Sequence, residues 1–125
     1  MKDITFNTNG GRLSVNVTIG NAQAGSYVLK LWESQSNTIV MERSGNNLNP
    51  NDDEYELPLP TACNDGRIVE CQFAVANPAP KPGDTYVVTL EYFQDGKKIG
   101  DDEDKGPLGT KYAQPQLFDV LHKGK

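Results

Sequence analysis

Few residues in this chain are of a type that does chemistry. There is one histidine, His122, and there are two cysteines, Cys63 and Cys71. Two carboxylate runs complete the set, Asp52-Asp53-Glu54 and Asp101-Asp102-Glu103-Asp104. Nucleophilic catalysis needs a base within reach of a hydroxyl or thiol, and a lone histidine near the end of the chain is poorly placed to serve as one. A structural zinc ion takes four cysteine or histidine ligands, more than two cysteines and one distant histidine supply. A carboxylate pair could cleave a glycoside, but neither run stands in a cleft pattern. Phosphate loops, dinucleotide fingerprints and the HExxH pair are missing. The residues therefore point away from an enzyme and from any cofactor or bound metal. Calcium seeks several carboxylate oxygens together. The two runs lack EF-hand spacing and read as solvated loops that keep the chain soluble and guard strand ends. A cation shared between them at one pole of the fold is the alternative.

Length and charge narrow the partners. A chain of 125 residues carries one core and is too short for two ordinary domains. With 36% hydrophobic and 23% charged residues it has the composition of a soluble globular protein. A net charge of −5 repels phosphate backbones, which argues against nucleic acid. No apolar run approaches bilayer length and no basic amphipathic helix is visible, so no membrane partner is expected. The opening Met1-Lys2-Asp3-Ile4-Thr5-Phe6 has no apolar secretory stretch. The expectation is cytoplasmic synthesis or a trimmed secreted chain, with the compartment unknown.

The elements that must position these residues are strands. Apolar and polar residues alternate at Ile4–Phe6, Leu13–Ile19, Ser26–Glu33, Thr38–Glu42, Val69–Val75 and Tyr86–Tyr92. Tyr55, Leu57 and Leu59 also alternate, but Pro58 and Pro60 interrupt them, which allows an edge strand at most. Asp65-Gly66 and Asp95-Gly96 both suit two-residue hairpin turns, the second leading into a return strand at Lys97–Gly100. The segment 43–53 shows no periodicity. Helical periodicity is absent until the tail, where Pro115, Leu117, Val120 and Leu121 fit either a short helix or a last strand. Seven or eight short strands with frequent turns imply an all-β antiparallel sandwich over 1–109 with a C-terminal tail, 110–125. A small closed barrel is the alternative.

The cysteines test the first of these turns. If Asp65-Gly66 closes a hairpin, Cys63 faces Ile68 and Cys71 faces Pro60. The sulfurs then stand three residues out of register, roughly 10 Å apart, too far for a disulfide. A wider loop centred on Arg67 would bring them together. Cys71 also keeps phase with Val69, Phe73 and Val75, as a small buried hydrophobe does.

The run Pro82-Gly83-Asp84-Thr85-Tyr86-Val87-Val88-Thr89-Leu90 resembles the immunoglobulin-like superfamily, and fibronectin type III domains in particular. There a Pro-Gly loop precedes a strand whose tyrosine bonds back to the upstream backbone, the tyrosine corner. "SYVLKLWE", Ser26–Glu33, is similar to the family's third strand. The antibody spacing of Cys, Trp and Cys is not met, because Trp32 precedes both cysteines. The resemblance implies a buried Tyr86 with its hydroxyl on backbone. It puts Tyr86, Val88, Leu90 and Tyr92 inside, with Tyr27, Leu29 and Leu31. It also implies that these two strands are antiparallel neighbours. Val28, Lys30 and Trp32 then share an outer face with Val87, Thr89, Glu91 and Phe93.

That face carries apolar groups at both ends of a polar centre, and Val28, Trp32, Val87 and Phe93 are its candidate binding residues. Three coverings are open. The tail can fold over the face, another protein or a second copy of the chain can bury it, or a sugar can stack on Trp32 with help from Tyr92 or Phe93. The expectation is a non-enzymatic module that serves as a structural or protein-binding component of a larger assembly. A carbohydrate-binding module built around Trp32 is the alternative. A shared fold transfers no function by itself.

Overall fold

Alternation along the chain becomes ten β-strands arranged in two sheets. The computed structural model describes residues 1–20, 24–46, 53–77, 79, 81–108 and 112–124. Of the aperiodic segment, residues 47–52, Asp52 included, lie outside the described residues. The strands are β1 (Lys2–Phe6), β2 (Leu13–Gly20), β3 (Ala24–Trp32), β4 (Ile39–Asn46), β5 (Glu54–Glu56), β6 (Ile68–Ala76), β7 (Thr85–Gln94), β8 (Lys97–Pro107), β9 (Tyr112–Ala113) and β10 (Gln116–Lys123). One 3₁₀ turn, η1 (Thr61–Asn64), joins β5 to β6.

The first sheet runs β1-β10-β6-β3-β4, with β9 also paired to β6, and the second runs β5-β2-β7-β8. β1 and β10 pair in parallel. The other pairings are antiparallel. Side chains alternate across a strand, and the apolar set of each long strand turns inward. Ile4, Phe6, Leu13, Val15, Tyr27, Leu29, Leu31, Val69, Cys71, Val75, Val88, Leu90, Tyr92 and Leu121 are all buried between the sheets. Each large side chain so buried contributes roughly 1.5–3 kcal/mol. Between β3 and β5 the sheets are tied by the hydroxyls of Tyr27 and Tyr55, which bond to each other. Their rings meet edge-on at 6.3 Å. Burial and that bond push the Tyr27 hydroxyl pKa far up, so it stays a hydrogen-bonding phenol.

The turn at Asp95-Gly96 is the hairpin the residues suggest. Both have positive φ (53° and 77°), the left-handed pair of a type I′ turn, and Gln94 faces Lys97 across it. Asp65-Gly66 is not a hairpin. The strand before it, β5, lies on the edge of the second sheet against β2 and ends before the two prolines. The chain then crosses to the first sheet through η1. Asn64 holds that crossing: it is fully buried, its amide donates to the carbonyls of Pro58 (3.1 Å) and Thr61 (3.2 Å), and its Oδ1 accepts from Arg67 (3.1 Å). Both cysteines are unpaired, Cys63 exposed on η1 and Cys71 buried in β6. The result agrees with the register estimate, although the hairpin behind that estimate does not form.

Three further expectations are decided. Of the two forms open to the tail it takes the strand, and it does not fold over an outer face: β10 is inserted between β1 and β6, and Leu117 and Leu121 enter the core. The run Asp101–Asp104 is not a loop, because β8 continues through it to Pro107 as the edge of the second sheet. Tyr86 is half-buried, and its hydroxyl donates to Asp104 Oδ2 (3.1 Å) rather than to the preceding backbone. The lengthened β8 explains this, since it lays Asp104 and Gly106 alongside the tyrosine.

Candidate functional site

The phases inferred for β3 and β7 hold, but their adjacency does not. β3 lies between β4 and β6 in the first sheet, and β7 lies between β2 and β8 in the second. Val28 and Trp32 therefore face out from one sheet, while Val87 and Phe93 face out from the other. The four do not form one surface. Alternation reports which side chains point inward. It carries no information about which strand lies alongside.

On the second sheet, Val87 is flanked by Gly20 and Lys105, and Phe93 by Ser14 and Lys98. A Cβ on Gly20 would meet Val87 Cγ1 at 2.8 Å, so the valine folds down over the glycine. Between them stand Thr89 and Glu91. Lys98 bridges Glu91 (3.5 Å) and Asp101 (2.8 Å). Lys98, then Lys2, holds the Asp101 carboxyl below its ordinary range. This outer face is mostly polar, with two partly covered apolar residues on β7.

The outer face of the first sheet is different. Register aligns its outward side chains in three rows. One row reads Val120, Ile68, Trp32, Ile39 across β10, β6, β3 and β4. The next reads Phe118, Glu70, Lys30, Glu42, and the third Gln116, Gln72, Val28, Ser44. The first row is an apolar stripe across four strands. Ile39 is 42% exposed, and Phe118, beside the stripe, is 37% exposed.

Glu70 is the centre of this face. It is only 8% exposed although it points away from the core. Its Oε1 accepts from Trp32 Nε1 (3.2 Å), and its Oε2 accepts from Gln116 Nε2 (3.2 Å) and Gln72 Nε2 (3.4 Å). Lys30 sits opposite it and reaches both Glu42 (3.9 Å) and the Trp32 ring (5.9 Å to the centroid). The carboxylate thus fixes the indole, and the two amides extend the polar patch. Beside it runs a cleft of about 370 Å³ whose lining includes Ser26, Val28, Gln72, Ala74, Gln114 and Gln116. The sequence marked Trp32 and Val28 but not Glu70, Gln72, Gln116, Phe118, Ile68 or Ile39. Their common face depends on β3, β6 and β10 being neighbours.

No family model, curated protein or solved structure matches the chain. The site is therefore read from geometry alone.

The other chemically capable residues are accounted for locally. His122 Nε2 lies 3.1 Å from Asp3 Oδ1 across the β1–β10 pair. Burial pushes the Cys71 thiol pKa well above its ordinary value, which makes it unreactive. Among the described residues no three His, Cys, Asp or Glu side chains are grouped to hold a metal ion. Among them, too, no helix is long and apolar enough to cross a membrane.

Proposed function

We propose that this chain is a non-enzymatic binding module, one component of a larger assembly, that docks another protein on the outer face of its first sheet. The observation that carries the reading is the stripe Ile39–Trp32–Ile68–Val120 with Phe118 beside it, framed by Lys30 and Glu42. Interface cores favour aromatic and aliphatic groups inside a charged rim. Four strands about 4.8 Å apart and three rows of side chains cover on the order of 400 Å². That is about half of one partner's share of a standard interface. A face of this size suits one contact among several in an assembly better than a solitary tight complex. An immunoglobulin-like frame belongs to this proposal in the broad sense of two packed, mainly antiparallel sheets; the tyrosine corner forms no part of it.

The test uses the two most exposed members of the patch. Ile39→Ser and Phe118→Ser should weaken capture of the partner from native extract, or lower self-association in sedimentation velocity, with the fold intact. Phe93→Ser, on the opposite sheet, should change neither. Equal loss in all three variants would refute the assignment.

A carbohydrate reading rests on one specific observation. A fixed indole, a carboxylate and two planar amides stand beside a cleft, which suits a pyranose ring and its hydroxyls. Titration with a glycan library, compared with Gln72→Ala and Gln116→Ala, tests it. Saturable sugar binding lost in both variants would favour a glycan over a protein as the ligand.

A further inference from the structure

Asp119 is a carboxylate at a core position. Along β10 the inward positions are Leu117, Asp119 and Leu121, and all three are buried. Asp119 is 0% exposed. Its Oδ2 accepts a 2.6 Å bond from the Tyr92 hydroxyl of β7, while its Oδ1 has no donor. A buried acceptor without a partner is costly, and a buried carboxylate without one more so.

The strand of the second sheet that meets β10 beyond β7 is β8. Its pairing with β7 sets Gly100, Asp102, Asp104 and Gly106 opposite Tyr92, Leu90, Val88 and Tyr86. Asp102, paired with the buried Leu90, thereby stands on the inward side of β8 toward β10, where it acts on Asp119. Two ionised carboxylates cannot bond to each other, but one proton between them makes one a donor and the other an acceptor. Other groups do not neutralise the pair. Lys2 of β1 acts on Asp119, yet its amine lies 3.4 Å from Asp101 on the outside of β8. Cys71 of β6 and Tyr92 of β7 are held protonated by burial.

We infer that Asp119 and Asp102 share one proton, that this proton latches the β8 edge of the second sheet onto β10 of the first, and that its loss loosens the seam. The shift of Asp119 agrees. Burial, and then the bond with Asp102, raise it to about 8, with Tyr92 acting in the opposite direction. The ordinary aspartate value is about 3.9. A carboxyl raised on folding contributes fully below its unfolded value, and the contribution is lost as pH rises to the folded one. The latch therefore holds in acid, weakens from about pH 4 to about 8, and is released above. The device lies at the opposite end of the sandwich from β4 and does not depend on the docking face.

Carboxyl ¹³C shifts of the whole chain, followed from pH 4 to 10, test this inference. The Asp119 carboxyl should show its step above pH 7. Amide exchange in β8, corrected for intrinsic base catalysis, should rise about tenfold between pH 7 and 9.5. Asp119→Asn keeps the Tyr92 bond and supplies a permanent donor to Asp102, so it should abolish both changes. Asp102→Asn is the second variant should the first fail to fold, with the same expectation. If Asp119 titrates below pH 5, or if the rise in exchange survives either substitution, there is no shared proton.

Discussion

Replacing Glu70 by alanine should release Trp32, and the size of the effect follows from the geometry. Glu70 receives three side-chain donors at 3.2, 3.2 and 3.4 Å. Charge-assisted bonds at their best are about 2.7–2.9 Å long, so these fall at the weak end. The two shorter ones are worth roughly 1 kcal/mol each and the third less. Both amides can turn to water when the carboxylate goes, whereas the indole N–H on the half-covered sheet is less free to do so. The net loss is therefore about 2 kcal/mol, with some contribution from the lost stem of the side chain. Trp32 is the single tryptophan of the chain, so its fluorescence reports on the site without labelling. Urea unfolding followed at that wavelength should show the lower midpoint with an unchanged slope, and the native emission should move to the red. Trp32→Phe keeps a ring and removes only the donor, and with Glu70→Ala it closes a double-mutant cycle. A coupling of about 1 kcal/mol is expected for groups in direct contact. A loss below about 0.5 kcal/mol with unmoved emission, smaller than one ordinary hydrogen bond, would mean that Glu70 does not hold the indole.

Other expectations follow from the frame around the site. Asn64→Ala removes three bonds at the crossing between the sheets and should cost about 2–3 kcal/mol in the same unfolding assay. Gly96→Val forces a branched residue into a left-handed position (φ 77°) and should cost at least about 1–2 kcal/mol, whereas Gly96→Asn, which tolerates that region, should cost less. Calcium at millimolar concentration should leave the melting temperature within a degree or so of the magnesium control. A calcium-specific rise of several degrees would show bound metal through its mass-action stabilisation.

Much of the architecture was written in local patterns. Leu13, Val15 and Val17, or Tyr27, Leu29 and Leu31, alternate because one side of each strand is buried. Asp95-Gly96 announces its turn because few other pairs accept two positive φ values. Pro58 and Pro60, which lack N–H donors, fall just past the edge strand β5 and mark where its pairing stops. What local pattern lacks is the neighbour. Strands β3 and β7 carry the same alternation whether adjacent or in opposite sheets, so the composite surface of Val28, Trp32, Val87 and Phe93 was assembled from two different faces. β8 escaped notice beyond Gly100 because its inward positions are Gly and Asp, with no apolar period to follow. β10 was ambiguous because Phe118 and Val120 are apolar on the outer side too, which blurs a strand into a helix. Glu70 and Asp119 look like ordinary surface acids until the sheet order brings Gln116 and Trp32 to one and Tyr92 and Asp102 to the other.

The central claim is that the outer face of the first sheet is the docking surface. Methyl and indole NMR shifts, recorded while purified partner is added to the labelled chain, test it most directly. The account predicts perturbations at Ile39, Ile68, Val120, Val28 and the Trp32 Nε1–H, with Val87 unmoved. Shifts concentrated on Val87 and its neighbours in the second sheet, with the Trp32 resonance unchanged, would contradict it.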